Sequence, residues 1–224
     1  MTTLKYPLVC FDLDGTLVDD TIYIWKTLHE RFNTDKKQRL QAYNDYFNKI
    51  ISYQDWFDTD LELLRSAGAS KKLILETLNS LTVMKGALET LKTLQDSGHK
   101  IAIISGSLDI VVSHLFPDFK FDHLLINRIT FDQNGLIQGG THTPYDIEAK
   151  ADGLKALCKK ENISAYQTVF IGDNENDLWI AKEAGLSIAF NCKSDRLAAV
   201  CNIEIKERNL MAVLPWITGS GSTG

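Results

Sequence analysis

The feature that most constrains the fold is a set of short, uninterrupted apolar runs that each end abruptly in polar residues or glycine. They cover residues 8–11, 101–104, 169–171 and 187–190. Apolar residues without alternation are typical of strands covered on both faces, as in parallel sheets. The runs close, in order, on Asp12, Ser105-Gly106, Gly172-Asp173 and Asn191. The sequence therefore predicts a buried, parallel sheet with polar groups at its strand ends.

Segments between these runs show helical spacing of apolar residues and predict helices over 86–97, 148–160 and 174–184. The apolar face of the first is predicted to comprise Ala87, Leu88, Leu91 and Leu94, and that of the second Ala151, Leu154, Leu157 and Cys158. Strands that alternate with helices favour an α/β fold, in which crossover helices flank the sheet.

Two segments depart from this alternation. Residues 20–83 contain no buried strand pattern and are rich in aromatic residues at helical spacing, so they are predicted to form an inserted helical cap. Residues 124–138 form two extended runs around Asp132-Gln133-Asn134-Gly135, which predicts a β-hairpin. The predicted organisation is an α/β core of residues 1–19 and 84–217, a cap of residues 20–83 and a flexible tail of residues 218–224.

Charge and composition bear on the possible partners. The formal net charge is -5, with 24 Lys+Arg interleaved among 29 Asp+Glu, and this argues against a nucleic-acid partner. No apolar stretch reaches the roughly 20 residues that span a bilayer, and the first residues are not typical of a signal peptide. The four cysteines are scattered without metal or disulfide spacing, which favours a reducing, cytoplasmic location. The oligomeric state is not indicated.

The polar strand ends predict a single site. In open α/β sheets ligands bind beyond the carboxyl ends of the strands, a rule that gathers Asp12, Asp14, Ser105, Asp173 and Asp177. Carboxylates grouped in this way repel one another unless a cation compensates, and oxygen ligands suit Mg²⁺ when a phosphate completes its coordination. Taken singly, each element has a structural alternative: an Asx turn, a helix N-cap at Ser105-Gly106, or a helix start. Their joint occurrence favours a site.

Four motifs resemble those of the haloacid dehalogenase-like (HAD) superfamily. The first is residues 11–18, Phe-Asp-Leu-Asp-Gly-Thr-Leu-Val, the second is Ile-Ile-Ser-Gly at 103–106, the third is Lys150, and the fourth is Gly-Asp-Asn-Glu-Asn-Asp at 172–177. The helical cap, the hairpin and the sequence Ala-Phe-Asn-Cys-Lys at 189–193 resemble the phosphoserine phosphatase-like branch. The resemblance implies a Rossmann-like parallel sheet and a phosphatase acting on a small phosphomonoester.

The resemblance also implies a role for each motif residue. Asp12 is expected to attack phosphorus and form an aspartyl-phosphate, and Asp14 to act as acid and base. Mg²⁺ is expected to be held by Asp12, the Asp14 carbonyl and Asp173, with Asp177 orienting these ligands. The residues expected to bind the phosphate are Ser105, Gly106, Lys150 and Asn176.

The cap leaves the substrate open. Phosphoserine phosphatases carry a glutamate nine residues after the nucleophile, where this chain has Thr21, and the segment that matches their cap arginine is acidic. The acids Asp19, Asp20, Asp58 and Asp60 are each more typical of solvated positions, although together they suit a cationic or polyhydroxyl substrate. Trp25, Trp56 and Phe57 are interpreted as the interior of the cap. Two further hypotheses are phosphoryl transfer to a second substrate position, as in related mutases, and a non-enzymatic regulatory protein on the same scaffold.

Overall fold

The computed structural model describes residues 4–19 and 21–219. The chain start, Asp20 and the predicted tail beyond Gly219 lie outside the described residues. The strands are β1 (Leu8–Phe11), β2 (Val18–Asp19), β3 (Thr82–Val83), β4 (Lys100–Leu108), β5 (His123–Phe131), β6 (Ile137–Thr141), β7 (Thr168–Gly172), β8 (Leu186–Phe190) and β9 (Ile203–Ile205). The helices are α1 (Ile24–Arg31), α2 (Lys36–Phe47), α3 (Tyr53–Ser66), α4 (Lys71–Leu78), α5 (Ala87–Asp96), α6 (Asp109–Leu115), α7 (Lys150–Glu161), α8 (Leu178–Glu183), α9 (Asp195–Val200) and α10 (Leu214–Thr218).

Seven of these strands form one sheet in the order β6-β5-β4-β1-β7-β8-β9. All neighbours pair in parallel except β5 and β6. The central strand β1 is completely buried, with β4 on one side and β7 on the other. Its unbroken apolar run is required because helices cover both faces of the sheet. The predicted α/β fold with a parallel sheet is confirmed.

Successive residues of the sheet strands point alternately into two separate apolar layers. Val9, Phe11 and Ile103 point to the face that also packs against the inserted helices, whereas Cys10 and Ile104 point to the face covered by α7 and α8. The predicted face of the helix at 148–160 is buried as expected. In α5 the prediction was wrong for Leu88, which is 48% exposed, because Thr90 rather than Leu88 completes the buried face of that helix.

Strand β4 is longer than its apolar run predicts. The strand continues through Ser105 and Gly106 to Leu108, which pairs with Asn127 of β5 after an irregularity in the register. The alternative that Ser105-Gly106 caps a helix is therefore wrong, since α6 begins only at Asp109 and its N-cap is Leu108. The irregularity places these polar residues at the carboxyl edge of the sheet, within a strand.

The predicted hairpin is formed by β5 and β6. Its turn is held by the side chain of Asp132, which accepts hydrogen bonds from the backbone N–H of Asn134 and Leu136, both at 2.8 Å. Gly135 has φ +76°, a left-handed conformation that favours glycine. The carbonyl of Gly135 accepts a hydrogen bond from the Lys71 N–H at 2.7 Å, so the hairpin also contacts the start of α4.

The inserted segment consists of α1 to α4, between the short strands β2 and β3. These two strands pair antiparallel, with Val18 opposite Val83 and Asp19 opposite Thr82. They form a separate two-stranded sheet, so the inserted segment begins and ends at neighbouring points. Helix α3 starts with a capping box between Ser52 and Asp55, which satisfies backbone donors that would otherwise lack partners.

No helix in residues 4–19 and 21–219 is long and apolar enough to cross a membrane. Thr218, the first residue of the predicted tail, is the last residue of α10.

Candidate active site

The carboxyl edge of the sheet brings together the polar strand ends. Asp12 follows β1, Ser105 lies in the last part of β4, and Asp173 follows β7, and all three residues are at most 3% exposed. Gly15 allows the loop after β1 to fold over Asp173. It has φ +82°, and a Cβ at this position would lie 2.3 Å from the Asp173 Oδ2 atom. Thr16, from the same loop, donates a hydrogen bond to Asp173 Oδ1 at 3.2 Å.

Three carboxylates form a cluster at this edge. Asp12, Asp173 and Asp177 offer ligand oxygens that all lie within 4.8 Å of one another. The Oδ1 atom of Asp12 is buried, and the Nζ atom of Lys150 lies 3.0 Å from it. Burial, followed by repulsion from Asp12, raises the pKa of Asp173 to about 6, and the same two causes raise the pKa of Asp177. Such a group of oxygens is suited to hold a hard divalent cation, which would offset both costs.

Lys150 is the cation of the cluster. Its side chain is completely buried, and its Nζ atom lies 2.6 Å from Asp177 Oδ1 and 3.0 Å from Asp12 Oδ1. Burial lowers the pKa of a lysine, but the carboxylates of Asp12 and Asp177 outweigh it and raise the pKa of Lys150 above its usual range. Lys150 is the first residue of α7, so the start of this helix determines where the ammonium lies.

Asp177 joins Lys150 to the loop after β7. Its Oδ2 atom accepts hydrogen bonds from the backbone N–H of Asp173 at 3.1 Å and of Asn174 at 3.4 Å, while Oδ1 accepts from Lys150. The Asp177 side chain thereby fixes the position of the Asp173 backbone and of the lysine together.

Asp14 is held apart from this cluster by two donors. Its Oδ2 atom accepts a hydrogen bond from the Ile24 N–H at 2.8 Å, and its Oδ1 atom accepts one from the Ser107 hydroxyl at 2.9 Å. Burial raises the pKa of Asp14 to about 7, aided by repulsion from Asp12 and Asp173 and opposed by the two hydrogen bonds. A carboxyl group with a pKa near neutrality is suited to exchange a proton.

Three of the four predicted phosphate-binding residues border an open cavity, and the fourth, Lys150, does not line it. The volume of the cavity is about 620 Å³, and Asp12, Asp14, Ser105, Gly106 and Asn176 line it. The Asn176 Oδ1 atom is buried and has no hydrogen-bond partner in the described part of the chain. Lys150, Asp173 and Asp177 are buried behind this lining. The cavity is therefore where a phosphate can approach Asp12.

Several residues of the site carried no assigned role in the sequence. Thr16 and Lys193 contact the two oxygens of Asp173, with Lys193 Nζ at 2.7 Å from Oδ2, and Ser107 contacts Asp14. In the sequence, Lys193 is part of the motif at residues 189–193, and Ser107 lies two residues after Ser105, so both were near residues already singled out. Asp146 had no such signal. Its carboxylate packs against Gly106, where a Cβ would lie 2.1 Å from Asp146 Oδ2, and burial raises its pKa.

The inserted helices complete the cavity. Trp25 of α1 donates a hydrogen bond from Nε1 to the Gly106 carbonyl at 2.9 Å, and Tyr53 of α3 donates one from its hydroxyl to Asp146 at 2.9 Å. Asn127 of β5 also donates to the Gly106 carbonyl, at 2.6 Å. Trp25, Trp56 and Phe57, interpreted from sequence as interior, also line the cavity, with only Phe57 buried.

The acids of the insertion do not share one position. Asp19 forms an ion pair with Arg208, and Asp58 is exposed and accepts a hydrogen bond from Gln54. The expectation of a solvated side chain was wrong for Asp60, which is 3% exposed because His29 and Arg39 surround it at 3.1 and 3.6 Å. Thr21 is also buried, with its hydroxyl 2.8 Å from that of Thr27, and does not line the cavity.

Comparison with known proteins agrees with this geometry. The family model of haloacid dehalogenase-like hydrolases matches residues 9–182. That match covers most of the chain and includes β1, β4, the start of α7 and the loop after β7. The chain therefore belongs to the haloacid dehalogenase-like hydrolase family, and the resemblance stated from its motifs is confirmed.

The relatives place it in the phosphoserine phosphatase-like branch. Phosphoserine phosphatase of Methanocaldococcus jannaschii is 28% identical over 95% of this chain and 98% of its own, and that of Idiomarina loihiensis is 30% identical over 92% and 91%. A crystal structure of phosphoserine phosphatase in apo form has a TM-score of 0.75 at 25% identity. The superposition with the apo structure covers 95% of this chain and 99% of the solved chain. A structure described as a phospho-aspartyl intermediate analogue of phosphoserine phosphatase has a TM-score of 0.72 at 26% identity, with the same two coverages.

Proposed function

We propose that this protein is a Mg²⁺-dependent phosphatase that hydrolyses small phosphomonoesters through an aspartyl-phosphate on Asp12. The observation that carries the proposal is the buried Asp12 carboxylate at the base of an open cavity, beside Lys150 and two further carboxylates. The names of the relatives support phosphate-ester chemistry. The four free thiols agree with a cytoplasmic location.

Asp12 is suited to be the nucleophile. A carboxylate can attack without a helper base, and the Lys150 ammonium lies 3.0 Å from the Oδ1 atom of Asp12. The phosphate enters on the cavity side, where the side chains of Ser105 and Asn176 can bind its oxygens. In-line attack of Asp12 on phosphorus forms the aspartyl-phosphate and breaks the bond to the alcohol oxygen.

Asp14 is proposed as the acid and base of the reaction. Its position across the cavity lining from Asp12, with Ile24 and Ser107 fixing both oxygens, keeps it from the carboxylate cluster. It gives its proton to the departing alcohol and then takes one from the water that attacks the aspartyl-phosphate. Asp12 thus acts as the nucleophile and Asp14 transfers the proton, because the two carboxyl groups lie in different environments.

The donor set fits Mg²⁺. Asp12 and Asp173, with the Asp14 carbonyl, would hold the ion, and the grouping of their buried carboxylate oxygens within 4.8 Å of one another supports a ligand role. When bound, Mg²⁺ supplies positive charge that neutralises the phosphoryl oxygens. Thr16 and Lys193 orient the Asp173 carboxylate through its two oxygens, and Asp177 fixes the Asp173 backbone.

Helices α1 to α4 are proposed to act as a cap that covers the site and selects the substrate. The Ile24 N–H reaches Asp14, and the Trp25 indole reaches the Gly106 carbonyl, so the start of the cap contacts two of the four motifs. A cap joined in this way can exclude water from the aspartyl-phosphate while substrate occupies the cavity.

Removal of divalent cations should abolish phosphate release. With acetyl phosphate as substrate, we expect activity to be lost in EDTA and restored by excess Mg²⁺, because the ion would supply the positive charge that neutralises the phosphoryl oxygens. The restoring ion should also raise the midpoint of thermal unfolding, since it binds only the folded chain. Full activity after exhaustive chelation would contradict the metal requirement.

Replacement of Asp14 by asparagine tests the acid. We expect Asp14→Asn to lower kcat/KM for an alkyl phosphate by about 10²–10⁴-fold, the usual contribution of general acid catalysis. The loss should be smaller for p-nitrophenyl phosphate, because its leaving group departs without protonation. An equal loss for both substrates would show that Asp14 acts in another way. Asp195→Asn, an exposed carboxylate on α9, is the matched control.

A further inference from the structure

The cap side of the cavity carries an arrangement of rings that the proposed chemistry does not use. Tyr43 and Phe47 of α2 and Tyr53 and Trp56 of α3 all line it. The Trp56 ring lies 5.8 Å from that of Tyr43 and 5.9 Å from that of Tyr53, at interplanar angles of 84° and 79°. Two rings therefore stand nearly perpendicular to the indole on the wall of the cavity. We call Tyr43, Tyr53 and Trp56 the aromatic box.

The box borders the cavity with one exposed ring, Tyr43, and two half-buried rings, Tyr53 and Trp56. Tyr43 is 46% exposed and its neighbour Phe47 is 48% exposed. Tyr46 packs behind Trp56 at 4.9 Å with an interplanar angle of 30°, and it supports the indole from outside the cavity lining. Large aromatic surfaces left accessible on a concave wall are characteristic of ligand contacts.

The charges around the box are mainly negative. The two arginines of the cavity lining each face a carboxylate: Arg39 lies 3.6 Å from Asp60, and Arg196 is paired with Glu175. Asp146 and Glu148 also line the cavity, and they form no ion pair with any residue in the described ranges. Asp146 also accepts the hydroxyl hydrogen bond of Tyr53, so a carboxylate adjoins one side of the box.

The same contacts connect the box to the phosphate end of the cavity. Asp146 lies directly against Gly106, which follows Ser105. One side chain, that of Asp146, therefore lies between Tyr53 of the box and the Ser105-Gly106 part of β4, at which the phosphate is proposed to bind. A substrate with a short chain between its phosphate and its other end can contact both.

An aromatic face attracts a cation through the negative charge of its π-system, and most strongly so when the ring is tryptophan. Carboxylates beside the rings add to that attraction and disfavour an anionic end group. We propose that the substrates are phosphomonoesters of short alkylammonium alcohols, with the ammonium group in the aromatic box and the phosphate at Asp12. This assignment rests on the proposed phosphatase function and names the substrate class of that site.

The test compares two substrates of equal shape. Phosphocholine carries a quaternary ammonium, and 3,3-dimethylbutyl phosphate replaces that nitrogen by carbon and removes the charge. With the full chain and Mg²⁺, we expect kcat/KM for phosphocholine to exceed that of the neutral analogue by about tenfold or more. Phosphoserine, which adds a carboxylate, should be hydrolysed less efficiently than phosphoethanolamine.

Variants connect this preference to the box. Trp56→Leu should bring the ratio of the two kcat/KM values close to one. Tyr43→Leu should also lower this ratio, and because Tyr43 is exposed, its replacement should not disturb the packing of the interior. Tyr166→Leu, a ring that is 84% exposed and outside the cavity lining, should keep the wild-type ratio.

The possible failures are distinguishable. If acetyl phosphate is hydrolysed but phosphocholine shows no advantage over its neutral analogue, the substrate assignment is overturned and the phosphatase function stands. A preference that survives in both Trp56→Leu and Tyr43→Leu also overturns it, as does a neutral aryl phosphate that surpasses phosphocholine. If no phosphate is released from acetyl phosphate, the proposed function itself fails.

Discussion

Asp12→Asn is expected to lower the rate of phosphate release by roughly 10⁴-fold or more, the scale on which removal of a covalent nucleophile acts. The amide has nearly the same shape as the carboxylate, but it is a poor nucleophile toward phosphorus. Steady-state release of phosphate from acetyl phosphate in saturating Mg²⁺ measures the effect. Asp96→Asn, an exposed carboxylate at the end of α5, is the matched control and should retain wild-type activity.

The same variant should remain folded. Three buried carboxylates share this edge of the sheet, and loss of one charge reduces their repulsion while Lys150 keeps Asp177 as its partner. We expect the midpoint of thermal unfolding in EDTA to equal or exceed that of the wild type. An inactive variant that is also unfolded would not support the nucleophile, and an active one, within about tenfold of the wild type, would exclude it.

Lys150→Met is expected to affect both activity and stability. Its ammonium would stabilise the charge that develops on the phosphoryl oxygens, and loss of such a group typically costs about 10²–10³-fold in rate. The variant also leaves Asp12 and Asp177 buried without their shared cation. Breaking a buried ion pair by removing one partner lowers the free energy of unfolding by about 3–5 kcal/mol.

Urea unfolding with and without Mg²⁺ separates the two contributions. A divalent cation at the carboxylates replaces part of the missing charge, so the loss of stability should be smaller with Mg²⁺ than in EDTA. Lys159→Met changes an exposed lysine of the same helix and should leave rate and stability near wild type. A Lys150→Met protein with unaltered kcat/KM would contradict the proposed role of the ammonium.

Much of the core could be predicted because its information is local. An uninterrupted apolar run indicates a strand covered on both faces, and the carboxyl edge of a parallel sheet then places Asp12, Ser105 and Asp173 together. The structure places all three at that edge. The resemblance of the four motifs directed attention to Lys150 among the several lysines of α7, and only Lys150 of that helix contacts Asp12.

The features of the site that the sequence did not predict depend on contacts between distant parts of the chain. Tyr53 and Asp146 are separated by 93 residues, as are Asp14 and Ser107. The burial of Asp60 depends on His29 and Arg39, which come from two other helices. None of these pairings has a spacing that sequence reveals, because each is fixed by how the inserted helices pack.

The role of the aromatic residues of the insertion also could not be predicted from the sequence. Helical spacing identifies Trp56 as part of an amphipathic helix, but a cavity wall and a packed interior give the same pattern of residues. Only the ring angles and the exposure of Tyr43 distinguish the two. Substrate choice was therefore the part of the function least accessible from sequence.

The pairing of β2 with β3 has a consequence for how such an enzyme can diversify. Because Val18 lies opposite Val83, the ends of the insertion are held together by the sheet itself and not by the helices between them. The entropic cost of closing that segment rises only slowly with its length. The part of the insertion beyond these site contacts, residues 26–78, can therefore be exchanged, shortened or extended as one unit while the strand order and the carboxylate cluster stay unchanged. New specificities can then arise without rebuilding the chemistry.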